Sequence, residues 1–95
     1  MSAPDLLVID RAIERIRLGL NRYTCYALER AAFEVAPQDW THADAYVNQY
    51  QRWTLRNGKE PKWWDSGRRY KRERIAALKS FRQACIDAAS KQCNA

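Results

Sequence analysis

Between Lys59 and Arg82 the chain reads KEPKWWDSGRRYKRERIAALKSFR, a dense block of lysine and arginine interleaved with two tryptophans and a tyrosine. From Arg52 to Arg82 there are 11 basic and 3 acidic residues, a net of +8, whereas residues 1–51 carry 5 basic and 7 acidic, a net of −2. The positive charge is therefore local. Cations supply the field that draws phosphates, and flat indole or phenol rings supply faces on which a base or a guanidinium stacks, so the block points to a surface that meets a polyanion.

Within that block the residues assigned to anion or nucleic-acid binding are Lys62, Trp63, Trp64, Arg68, Lys71, Arg72, Lys79 and Arg82. Set on a helix at about 100° per residue, Tyr70, Leu78, Phe81, Cys85, Ala88 and Ala89 cluster on one face, and Arg68, Lys71, Arg72, Lys79 and Arg82 on an adjoining one. Like charges three or four residues apart disfavour the isolated helix by a few tenths of a kcal/mol per pair, roughly. A polyanion lying on the stripe removes that penalty. Carboxylates of other helices, with Glu29, Glu34, Asp39 and Asp44 as the candidates, remove it equally well, which is the bland alternative. Arg74 stands apart, because it falls towards the core side, where it either snorkels or holds an acid from an earlier helix.

Other chemistries find little support. His42 is the single histidine, no serine or cysteine has a recognisable base beside it, and there is no glycine-rich phosphate loop, so no enzyme is expected. Cys25, Cys85 and Cys93 lack C-x-x-C spacing, so no zinc site and no cofactor are expected, and the thiols read as reduced, two of them packed as small apolar residues. Asp5 and Asp10 bracket a short apolar run, Leu6 to Ile9, which suits neither a signal peptide nor a spanning helix and predicts a cytoplasmic protein.

These side chains must be held by helices. At 95 residues the chain is long enough for one modest core, and no stretch alternates in the manner of a strand. The expectation is one all-α domain spanning residues 1–95, a small bundle of three to four helices. The first starts near Ala3, behind the cap-like Ser2 and Asp5, and carries an apolar seam through Leu6, Ile9, Ile13, Ile16, Leu20, Tyr23 and Ala27. Helix propensity drops from Gly19 to Thr24, so this long N-terminal helix either kinks there or breaks in two before Pro37 stops it. A further helix, capped by Asp39 or Thr41, presents Ala43, Tyr46, Val47, Tyr50, Trp53 and Thr54 on one side and ends at Asn57-Gly58. After a loop containing Pro61, Asp65 or Ser66 caps the basic helix, which runs to about Lys91.

The segment GLNRYTCYALERAAF, Gly19 to Phe33, resembles a G-L-C-x-A-L pattern of small helical accessory proteins of phages and mobile elements; here the cysteine falls at Cys25. The resemblance implies a host-interference or recruitment role in the host cytoplasm and transfers no site residue. Two functions stand side by side. The first is binding of nucleic acid or a phosphate-bearing nucleotide, for which a stripe neutralising five duplex phosphates gives a log-log salt slope of about −4 to −5. A helix-turn-helix dock fits poorly, because the loop from Gly58 to Asp65 is longer than such a turn. The second is an inhibitor or adaptor surface engaging an acidic protein partner. A long apolar seam also leaves self-association open.

Overall fold

The computed structural model describes residues 6–57 and 70–93, the last two by backbone alone. Among the described residues there are four helices: α1 (Leu6–Arg17), α2 (Thr24–Val35), α3 (Trp40–Arg56) and α4 (Lys71–Cys93). The expected start at Ala3, the Pro61 loop and the Asp65 or Ser66 cap lie outside the described residues, as do Lys62, Trp63, Trp64 and Arg68.

In α1 two rows face inward, Val8–Ala12–Ile16 and Ile9–Ile13, each at the i, i+4 spacing that puts side chains on one stripe. Asp10, Arg11, Glu14 and Arg17 are exposed. The helix stops because Gly19 takes the left-handed conformation at φ +72°. Leu20 N donates to Arg15 O at 2.9 Å and Gly19 N to Ile16 O at 3.0 Å, the paired bonds of a Schellman termination. The N-terminal unit is therefore two helices and not one kinked helix. The expected seam is interrupted after Ile16, since Leu20 is 58% exposed and Tyr23 46%, and Ala27 is buried as part of α2.

Four of the residues that α2 buries are small or polar, Thr24, Ala27, Ala31 and Ala32, with Leu28 the one large member, so the backbone of a neighbouring helix can approach closely. At the α2–α3 turn Gln38 has φ +60°, and the Asp39 carboxylate accepts from His42 N at 3.0 Å, capping α3 as its sequence indicates. α3 buries Ala43, Tyr46, Tyr50, Trp53 and Thr54, with Val47 partly covered. Asn57 ends it, its side-chain amide donating to Trp53 O at 2.8 Å.

α1 packs on α2 and on α4, and α2 packs on α3. α4 also reaches α3 through Phe81, whose ring meets Tyr50 edge-on at 5.4 Å and Trp53 at 5.7 Å. Its buried side is Arg74, Ala77, Leu78, Phe81 and Cys85. Ala77 takes the place expected for Ala88, which is exposed, while Tyr70 and Ala89 are half-buried. Fully burying a side chain such as Leu78 or Ile9 contributes about 1.5–3 kcal/mol. Burial also pushes the Cys85 thiol above its usual pKa, as suits an inert packing residue.

Candidate phosphate-binding cleft

The cations of α4 meet different fates. Arg82 is held by Asp10 of α1, Nε to Oδ1 at 2.7 Å and a second guanidinium nitrogen to Oδ2 at 3.3 Å. This fork-to-fork pairing spends its charge within the chain, and the hydrogen bond with the Asp10 charge holds its proton more firmly than usual. Arg82 therefore leaves the group of cations available to a ligand. The partner is Asp10, not one of the four acids anticipated. Among the described residues none of Glu29, Glu34, Asp39 and Asp44 forms an ion pair with α4: Glu34 is held by Arg11 and Arg15 of α1, and Asp39 caps α3. Burial alone would raise the Glu34 carboxyl, but hydrogen bonds from Arg11 and Arg15, with their charges, prevail and hold it below its ordinary value.

Lys71 sits at the start of α4, its Nζ donating to Arg17 O at 3.0 Å. That carbonyl lies at the negative end of α1, so the ammonium is anchored without losing its charge to a carboxylate. Arg72 and Lys79 are exposed, and among the described residues neither has an ion pair. Lys79 borders a groove of about 470 Å³ shared with Asp10, Ile13, Glu14, Arg17, Arg82 and Gln83, where acids offset most of the positive charge.

A second cleft, of about 440 Å³, is lined by Ile16, Gly19, Leu20, Asn21, Arg22, Lys71 and Arg74. Among the described residues three cations line it and no acid does. Arg74, only 2% exposed, forms part of it from beneath. Its Nε donates to Thr24 Oγ1 at 3.1 Å, and its NH2 donates to Asn21 O at 2.9 Å. The residue that looked misplaced on the core side of α4 is thus a buried strut under the α1–α2 turn. The same turn is tied to α1 by Arg15 Nε, which donates to Asn21 Oδ1 at 2.6 Å. Tyr23 occupies the N-cap of α2 and its side chain makes no capping bond, so the positive end of that helix adds to the field at the turn. Charges in a partly enclosed cleft are screened less than on an open face, so a phosphate gains more here than along the α4 stripe.

Of the residues assigned from sequence, Lys71 lies in the cleft, Arg72 and Lys79 lie exposed on α4, and Arg82 is paired with Asp10. Arg22 and Arg74 went unassigned. Arg22 lies in an aperiodic turn outside the basic block, and Arg74 gave only the signal of a charge at a core register.

The fold and this cleft together define an all-α helical protein with a cationic cleft formed by one turn and the start of one helix. Among the described residues no helix is long and apolar enough to cross a membrane, and no group of three or more His, Cys, Asp or Glu is placed to hold a metal ion. No protein-family model, curated protein or solved structure matches this chain.

Proposed function

We propose that the chain is a small non-enzymatic binding protein that takes a nucleic acid or phosphate-bearing nucleotide, with phosphate seated between Arg22 and Lys71 above Arg74. The supporting observation is that the described lining of the 440 Å³ cleft holds Arg22, Lys71 and Arg74 and no acid. Arg72 and Lys79 extend the cationic surface along α4, and Lys62, Trp63, Trp64 and Arg68 are its further candidates in sequence. Four cations, Arg22, Lys71, Arg72 and Lys79, give a salt slope of about −3 for a single strand and somewhat steeper for a duplex. The test is fluorescence anisotropy of labelled oligonucleotides across a salt series. R22A/K71A is expected to weaken binding at least about tenfold at low salt and to flatten the slope by about 1.4; unchanged binding overturns the assignment.

A second reading, an inhibitor or adaptor for an acidic protein, is favoured by Trp40. It is 61% exposed at the start of α3, with its ring edge-to-face on Phe33 at 4.8 Å, and exposed aromatics of this kind anchor protein interfaces. Recovery of one protein after thorough nuclease treatment, lost in W40A, supports it. The accessory role implied by the Gly19–Phe33 segment is compatible with either ligand.

A further inference from the structure

We propose that the ligand of the cleft is single-stranded and that Tyr23 and Tyr26 are the platform for its bases. The inference rests on the phosphate-binding reading and narrows its ligand. Tyr23 is 46% and Tyr26 55% exposed, although α2 has a well-defined buried stripe of Thr24, Ala27, Leu28, Ala31 and Ala32. The core therefore gives no reason for two large aromatics here. Tyr23 directly follows Arg22 of the cleft lining, and Leu20, also of the lining, is 58% exposed. An exposed apolar side chain thus lines the cleft and an exposed ring follows its cation in the chain, an order that suits the alternation of base and phosphate in a polynucleotide.

The rings support each other: their centroids are 5.3 Å apart and their planes 86° from parallel. Perpendicular rings cannot join one continuous column of stacked bases. Bases resting on both must lie in different planes, which a flexible single strand permits and a duplex, whose base faces are covered by their neighbours, does not. The phenol hydroxyls are not needed for this role; the ring faces are.

The test compares one mixed-sequence oligonucleotide as a single strand, as a duplex, and as an abasic strand of equal length, against the wild type, Y23L/Y26L and Y23F/Y26F, with melting curves to show that each chain folds. The proposal expects preference for the base-bearing single strand and a loss of roughly 5- to 150-fold per stacked base in Y23L/Y26L. The salt slope should stay unchanged, and Y23F/Y26F should retain wild-type affinity. Equal binding of the three ligands, with no effect of Y23L/Y26L but a large one of R22A/K71A, overturns the platform and leaves the phosphate cleft standing. Absence of oligonucleotide binding by the folded wild type overturns both, and capture of a nuclease-resistant protein that is lost in Y23L/Y26L then assigns the tyrosines to a protein surface.

Discussion

If Asp10 withholds Arg82 from a polyanion, removing that carboxylate should strengthen binding. Asp10→Asn keeps the size of the side chain, raises the net charge from +6 to +7 and leaves Arg82 without its ion pair. Each additional phosphate neutralised steepens the log-log salt slope by about 0.7 for a single strand and 0.9 for a duplex. The advantage of D10N over wild type should therefore grow about five- to eightfold for every tenfold reduction in salt. Asp44→Asn on α3 makes the same change in net charge at an exposed site with no ion pair to α4, and so reports the nonspecific part. Arg82→Ala completes the cycle: it should matter little in the wild type and should return D10N to the wild-type slope. Anisotropy titrations from low to moderate salt read all five chains: wild type, D10N, D44N, R82A and D10N/R82A. Coincident slopes for D10N and D44N would refute the reasoning, because they would mean that freeing Arg82 adds nothing that a charge placed elsewhere does not.

Gly19→Ala tests the turn: with φ at +72° and nothing within 4 Å of an added methyl, the cost is backbone strain alone. It should be about 1 kcal/mol, a fall in Tm of roughly 4–8 °C by calorimetry. Arg74→Met removes the charged donor's hydrogen bonds to Thr24 and Asn21 and leaves the Thr24 hydroxyl short of a partner. It should cost about 3 kcal/mol in urea titrations, and a loss under about 1 kcal/mol would show that the strut is dispensable. Glu34, whose folded carboxyl is depressed below 4.5, contributes stability that is present above that pH and lost as pH falls through the depressed value. Glu34→Gln should therefore be less stable than wild type at neutral pH and converge with it in acid, as followed by thermal melts from pH 7 to 3.

The pattern of α3 is legible in the sequence, because Ala43, Tyr46, Tyr50, Trp53 and Thr54 repeat at helical spacing, whereas the choice of Asp39 over Thr41 as its cap is settled by the bond from His42 N. Gly19 marked an interruption, but choosing between a kink and a break depended on the two backbone bonds that close α1, which no periodicity reveals. For the stripe on α4 the sequence leaves open whether a polyanion or a carboxylate of another helix meets it, and Arg82 has no acid three or four residues away. Asp10 lies 72 positions from Arg82, and only the α1–α4 packing brings the two together. Likewise Arg22, a lone cation in a turn, gains meaning only once Lys71 and Arg74 stand beside it.

The order of packing has a consequence for how the chain comes into being. α1, α2 and α3 meet their neighbours through short connections, whereas the contact of α1 with α4 closes a loop of many residues and so carries a larger entropic cost. On a ribosome the isoleucines of α1 emerge early, but Leu78, Phe81 and Cys85 follow roughly 3–15 s later at ordinary rates of synthesis. Until they arrive, the half-built protein shows a greasy flank that a chaperone or a second nascent copy can grasp.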